Sequence, residues 1–230
     1  MNDASTRPAG EDGVEDDGID PSRITGLRML RDSSYTGKRA FDIACLTVLL
    51  IPSALVGSLC ALAIKLSSPG PIFFRQERVG HGGKKFIVFK FRSMVHNTHG
   101  NPLFPDPECI TRVGRVLRRL SLDELPQLIN VARGEMSIVG PRPTLPYQVA
   151  RYSPKQKARL DVRPGITGLA QVRGRNEIEW SERIQHDLEY IRHQSPWMDI
   201  GLIARSLWAA FKGSGVEGHP KDDVLAEVPE

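Results

Sequence analysis

The sequence predicts a membrane-associated α/β fold: a re-entrant membrane helix hairpin, then a small, mainly helical unit with a short sheet and interfacial amphipathic helices. Three observations predict it. Residues 43–64 form an uncharged run with Pro52 near its middle. Residues 85–92 alternate as a strand does, and helical spacing recurs at 111–120 and through the C-terminal part. With 230 residues, 25% of them charged, the chain has room for one sizeable domain plus a membrane element.

Taken in order, residues 1–22 are an acidic, Gly-containing leader with too little apolar content to build a core, and disorder is expected there. The first twenty residues hold seven acids against Arg7, leaving thirty bases against twenty acids in the remainder. The working part is therefore strongly basic, which suits lipid headgroups, nucleotides or nucleic acid without choosing among them. Cys45, Cys60 and Cys109 form an odd set without a CxxC pair, consistent with reduced thiols facing the cytosol. No GxGxxG or GxxxxGK[ST] loop occurs, so dinucleotide and P-loop modes of holding phosphate lose their support.

Residues 23–67 comprise a basic juxtamembrane segment and the apolar run. At about 1.5 Å per residue, the 22 residues from 43 to 64 match a bilayer core roughly 30 Å thick. Pro52 cannot donate to the Val48 carbonyl, so a bend is expected there, with the hydroxyl of Thr47 or Ser53 available to ease it. Five bases precede the run (Arg23, Arg28, Arg31, Lys38, Arg39) and five follow it (Lys65, Arg75, Arg78, Lys84, Lys85). Neither flank is the outer one by the positive-inside rule. A helix that enters, bends at Pro52 and returns explains that symmetry; a kinked single span and a buried helix of a soluble core stay open.

Residues 68–218 read as the soluble domain and 219–230 as a tail. Ser68-Pro69-Gly70-Pro71 marks the exit from the membrane, and the strand over 85–92 places Ile87, Phe89 and Phe91 on one face and the bases Lys90 and Arg92 on the other. Residues 97–107, with three prolines, read as a mobile loop. Over 111–120, Arg112, Arg115 and Arg118 or Arg119 oppose Val113, Val116, Leu117 and Leu120, a basic amphipathic helix.

That helix leads into Ser121-Leu122-Asp123-Glu124-Leu125-Pro126-Gln127. Ser121 with Glu124 fits a capping box, in which Glu124 is a backbone cap and Asp123 a dipole-favoured first-turn residue. The same geometry fits a phosphate site, where one acid attacks and its neighbour holds a divalent metal. Both readings stand on these residues alone. Arginines on rigid loops recur at Gly140-Pro141-Arg142-Pro143, Arg163-Pro164-Gly165 and Gly174-Arg175-Asn176, each offering a planar fork suited to phosphate oxygens. Farther on, Trp180, Ile184, Leu188 and Ile191 form one helical stripe. Ser195-Pro196 then caps a last helix in which Trp197 and Trp208, three turns apart, share a face. Lipid interface and protein core fit that pair equally.

The motifs Lys38-Arg39-Ala40-Phe41-Asp42, Phe89-Lys90-Phe91-Arg92-Ser93-Met94, Ser121 to Gln127, Val139-Gly140-Pro141-Arg142-Pro143 and Arg163-Pro164-Gly165-Ile166-Thr167-Gly168, in this order, resemble the bacterial sugar transferase family. These are the monotopic polyprenyl-phosphate phosphoglycosyl transferases. The resemblance covers residues 38–218 in the minimal form, with no multi-span N-terminal domain. It implies a re-entrant helix on the cytoplasmic face of the bacterial inner membrane. It also implies Mg²⁺-dependent transfer of a sugar phosphate from a UDP-sugar to undecaprenyl phosphate, releasing UMP and initiating a glycan such as exopolysaccharide or O-antigen. By motif position Asp123 is the nucleophile, carrying a covalent phosphosugar intermediate, and Glu124 shares the metal with it. Lys90, Arg118, Arg142 and Arg175 handle phosphates, and Asp199 joins the site. Downstream glycosyltransferases are implied partners, and a homodimer is compatible. Two departures from the family pattern occur: Ile51-Pro52-Ser53 puts the serine after the proline rather than before it, and Leu169 stands where an aromatic residue is common.

The competing reading is a membrane-anchored, non-enzymatic scaffold of a polysaccharide assembly complex, with the acid pair serving as caps. Nucleic-acid binding lacks support, because aromatic residues are not interleaved with the bases.

Overall fold

The computed structural model describes residues 32–95, 109–174 and 179–212. The leader, the loop over 97–107, Arg175 and the C-terminal tail lie outside the described residues.

Helix α1, Lys38–Ser67, is a single 30-residue helix that contains Pro52. Of its most apolar 18-residue stretch only 6% is buried, so the soluble-core helix is excluded. Both ends are fastened to one body. At the start, Arg39 donates to the carbonyls of Val131 (2.6 Å) and Ala132 (3.0 Å), and Asp42 accepts from the Ser137 hydroxyl (2.8 Å) and the Ile138 amide (3.0 Å). At the far end, Cys60 and Ile64 are buried against Phe91 and Leu117. Between them residues 47–52 are exposed on every side of the helix. The Thr47 hydroxyl donates to the Ile43 carbonyl at 2.9 Å, so it does not serve the carbonyl that Pro52 leaves unpaired.

Two small two-stranded sheets follow. Strand β1, Phe73–Val79, pairs antiparallel with β2, Lys85–Phe91, in a hairpin with Phe74 opposite Lys90 and Arg75 opposite Phe89. Val88 and Phe91, which alternate to opposite faces, are both buried while Ile87 is 40% exposed, so burial does not follow the face of Ile87, Phe89 and Phe91. The two bases of that segment also part company. Arg92 is buried and donates to the Ser68 and Pro69 carbonyls, closing the end of α1, whereas Lys90 turns to the acid pair.

Helix α2, Arg112–Arg119, begins where the Thr111 hydroxyl accepts from the Gly114 amide at 2.8 Å, an N-cap. A 3₁₀ helix, Leu122–Gln127, leads into α3, Leu128–Arg133. Strand β3, Ser137–Val139, pairs in parallel with β4, Gly165–Thr167. Between those strands lie α4, Pro146–Ala150, and a second 3₁₀ helix, Gln156–Asp161. Helices α5, Leu169–Arg173, α6, Trp180–His193, and α7, Pro196–Lys212, complete the body.

The main core joins Val88, Val131, Met136, Val139, Leu169, Tyr190 and Leu202, so the hairpin, α3, β3, α5, α6 and α7 share one interior. The predicted stripe on α6 is buried at Trp180, Ile184 and Leu188. On α7 the Ser195 hydroxyl accepts from the Met198 amide as the expected cap. Trp197 and Trp208 are 82% and 64% exposed, which removes the core alternative for that pair.

Candidate active site

The chain reverses sharply after α2. Ser121, the single non-glycine residue with positive φ among the described residues, sits at φ 56°, ψ 21°. That strained turn aims Asp123 and Glu124 back at β2. In this conformation the Ser121 side chain makes no capping bond, so the capping box does not form. The scaffold reading loses the structural role it gave these acids.

Glu124 instead collects two cations on one oxygen. Lys90 Nζ and Arg142 Nη2 each donate to its Oε1 at 2.8 Å. Burial alone would raise the Glu124 pKa, but Arg142 and Lys90 outweigh it and hold the carboxyl well below the usual carboxylate range. Arg142 is raised in turn, chiefly by Glu124. The side chain of Asp123, the residue before Glu124, makes no hydrogen bond or ion pair with any described residue. Burial pushes its pKa up, opposed by Lys90, reinforced by Glu124, and opposed again by Arg118 and Arg142. The site thus holds one engaged carboxylate and one uncommitted carboxylate under three cations. This is the division expected of an orienting acid and a nucleophile.

The Arg142 loop is set by backbone packing. Gly140 and Gly165 approach so closely that a Cβ on Gly165 would lie 2.1 Å from the Gly140 nitrogen, and one on Gly140 would lie 2.6 Å from the Arg163 carbonyl oxygen. The Gly140 amide donates to Thr167 O at 2.9 Å and the Gly165 amide to Pro141 O at 2.8 Å, so the two glycine motifs clasp each other. Beneath the loop a buried ion pair, Arg159 to Asp187 at 2.6 Å, presents Arg159 Nη2 to the Arg142 carbonyl at 3.1 Å. From the side, Arg78 on β1 donates to the Pro143 carbonyl at 3.3 Å and to Gln76 Oε1 at 2.6 Å.

The structure therefore brings together Asp123, Glu124, Lys90 and Arg142, with Arg118 in electrostatic reach of Asp123. It does not bring Asp199 there. Asp199 is fully buried at the start of α7, where it accepts from Lys38 Nζ (2.6 Å), Tyr35 (2.9 Å) and Tyr190 (2.8 Å). It ties α1 to α6 and α7. Arg163, on the second arginine loop, is also structural: it donates to the Gly134 carbonyl and pairs with Asp32. Arg175 lies outside the described residues. Sequence reasoning missed Arg78, Gln76, Arg159 and Asp187. The strand carrying the first two went unread, and a buried ion pair 28 positions apart leaves no periodic mark.

As a cation site the donor set is small: among the described residues no group of three His, Cys, Asp or Glu side chains converges. Mg²⁺ is commonly held by one or two carboxylates with substrate phosphates and water completing its shell. Asp123 and the unpaired Oε2 of Glu124 fit that mode, and do not fit an all-protein cage.

The site thus sets an uncommitted carboxylate beside a cation-laden one, on a body carrying one helix long and apolar enough to cross a membrane. The chain belongs to the bacterial sugar transferase family, whose model matches residues 33–213. It is 38% identical over 182 residues to the uncharacterized sugar transferase EpsL of Bacillus subtilis, covering 78% of this chain and 90% of that one. It is 46% identical over 188 residues to the UDP-glucose:undecaprenyl-phosphate glucose-1-phosphate transferase of Caulobacter vibrioides, covering 74% and 68%. A transferase of the same description from Escherichia coli is 45% identical over 186 residues, 76% of this chain and 40% of that longer one.

Proposed function

We propose that this protein transfers a sugar phosphate from a UDP-sugar to undecaprenyl phosphate, releasing UMP, as the initiating step of exopolysaccharide or a related glycan. The observation that carries the reading is the contrast within the acid pair: one oxygen of Glu124 is engaged by both Lys90 and Arg142 while the Asp123 carboxylate pairs with neither. Two relatives with this reaction in their names support it and make UDP-glucose the first donor to try.

In the proposed mechanism an Asp123 carboxylate oxygen attacks the sugar-bearing phosphorus of the donor. The bond from that phosphorus to the bridging oxygen breaks, and its electron pair leaves with UMP. An oxygen of undecaprenyl phosphate then attacks the phosphorus of the aspartyl-phosphosugar. The lipid-linked diphosphosugar forms and Asp123 regains its carboxylate. Lys90, Arg118 and Arg142 offset the phosphate charge, and Glu124 keeps Lys90 and Arg142 oriented before substrate arrives. Asp123 and Glu124 would hold Mg²⁺, which neutralises phosphate oxygens when bound.

Membrane attachment is part of the proposal. Both ends of α1 are fixed to the same catalytic body and its middle, around Pro52, faces outward on all sides. These features support re-entry from one face, with Trp197 and Trp208 at the lipid interface; the family reading makes that face the cytoplasmic side of the inner membrane. This support is independent of the charge symmetry, because Lys38 and Arg39 are committed to protein contacts.

The reaction is tested by UMP release from a panel of UDP-sugars with undecaprenyl phosphate and Mg²⁺, beside Asp123→Asn. Release with one donor, lost in the variant, is expected; undiminished release by Asp123→Asn would sink the nucleophile assignment. Re-entry is tested in a cysteine-free background with single cysteines flanking α1. Both should be labelled from the same side of sealed vesicles, and labelling from opposite sides would establish a span.

A further inference from the structure

We propose that Arg78 binds the nucleoside-side phosphate of the donor and stabilises it as the leaving group. The inference rests on the transfer reading above and assigns the part of the diphosphate that Asp123 does not attack.

Arg78 is a half-buried guanidinium that donates to two neutral oxygens, the Pro143 carbonyl and the Gln76 side-chain amide. Among the described residues no carboxylate forms an ion pair with it. It lies next to a second arginine: burial first and Arg142 next push its pKa down, to about 10, with Tyr147, Glu124 and Tyr152 opposing. Two neighbouring guanidiniums, of which Glu124 engages one, leave a surplus positive charge in a partly enclosed place. An anion is what such an arrangement lacks.

The order of the cations says which anion. Lys90, opposite Phe74 in the hairpin, meets Glu124, while Arg78 lies four positions farther along β1 on the same face and meets the carbonyl of Pro143, the residue after Arg142. Arg142, on Glu124 as well, therefore stands between Lys90 and Arg78, and Arg78 is the cation farther from the acid pair. A diphosphate with its sugar-side phosphorus at Asp123 extends past Arg142 toward Arg78. Displacement at phosphorus puts the leaving oxygen opposite the nucleophile. When the bridging bond breaks, the electron pair and its negative charge pass to the nucleoside monophosphate. Arg78 meets that charge while Gln76 and Pro143 fix its fork.

The test is calorimetric titration of UMP into the detergent-solubilised full chain, alongside steady-state UMP release. Arg78→Ala is expected to weaken UMP binding about tenfold or more, the scale of one charge-assisted hydrogen-bonded contact. Arg78→Lys should restore part of the loss. Because Arg78 also touches the Arg142 loop, a bracing role must be separated from binding. Gln76→Glu does this: it keeps Arg78 in place and supplies a competing carboxylate, so it should weaken UMP binding without lowering the melting temperature. Repeating Arg78→Ala in an Arg142→Ala background should still show a loss. Unchanged UMP affinity in Arg78→Ala or Gln76→Glu overturns the proposal, as does a loss that vanishes once Arg142 is alanine. Failure of the wild-type chain to bind UMP, with no UMP released from any donor, strikes the transfer reading itself.

Discussion

Replacing Glu124 removes the one oxygen on which two cations meet. Lys90 and Glu124 are 22% and 15% exposed, so their 2.8 Å contact is largely enclosed and contributes about 2 kcal/mol as a charge-assisted hydrogen bond. Arg142 is 41% exposed, and solvent screening reduces its 2.8 Å contact to about 1 kcal/mol. Glu124→Leu therefore loses about 3 kcal/mol and strands Lys90 without its counter-charge. Glu124→Gln keeps an acceptor oxygen and loses the charged half, roughly 1.5 kcal/mol. For a chain of this length these correspond to melting-point drops of about 6–12 °C and 3–6 °C. The pH dependence has a defined sign. The folded-state pKa of Glu124 is depressed, so its contribution is present above the unfolded value, about 4.3, and is lost as pH falls through the lower folded value. Thermal denaturation followed by far-UV circular dichroism should show the wild type above Glu124→Gln at pH 7, with the gap closing toward pH 3. Equal melting at pH 7 would refute the assignment of Glu124 as the hub that orders Lys90 and Arg142.

Asp123→Asn should abolish UMP release while melting no lower than wild type at pH 7. The folded pKa of Asp123 is raised, chiefly by burial, so its favourable contribution is present below the unfolded value and is lost as pH rises; amidation removes that burden. A marked melting-point loss in this variant would contradict the free state of its carboxylate. Asp187→Ala strands Arg159 in the interior and should cost about 3–5 kcal/mol, with partial recovery when Arg159→Met is added; thermal melts of the three proteins measure it. Asp199→Ala should lower stability by less than that, because Lys38 keeps its longer 3.7 Å pairing with Asp42 while the Tyr35 hydroxyl loses its acceptor. It should also increase protease cutting near the start of α1 while leaving the KM for the UDP-sugar unchanged, and a raised KM would return Asp199 to the active site.

Much of this arrangement was legible in the sequence because it depended on local rules. The α6 stripe and the Ser195-Pro196 start of α7 follow from helical spacing and cap chemistry, and both occur as expected. Proximity in the chain also singled out Asp123 and Glu124, which the fold sets beside Lys90 and Arg142. The reading failed where long-range contacts override local pattern. Ser121 and Glu124 satisfy a capping-box motif, yet Ser121 adopts a left-handed conformation and Glu124 is drawn to Lys90, 34 positions away. Arg92 shares an alternation with Lys90 but lies past the end of β2, where it finds the carbonyls closing α1. Lys38 and Arg39 look like topology-setting surface charges and are in fact ligands for Asp199 and the end of α3. Arg78 had no local signal, since its significance depends on where residue 142 arrives.

The apolar residues of α1 divide by task. Val48, Leu50, Ile51, Leu55, Leu59, Leu62 and Leu66 are 57–79% exposed, while Cys60 and Ile64 are the ones the catalytic body encloses. Folding and membrane attachment are thus written in different letters of the same helix. Exchanging the outward set for Gln, Glu and Lys, with Asp42, Cys60 and Ile64 kept, gives a route to a water-soluble version that retains the acid pair. On such a protein the proposed first half-reaction, from UDP-sugar to an aspartyl-phosphosugar, becomes accessible to crystallography and stopped-flow methods without detergent.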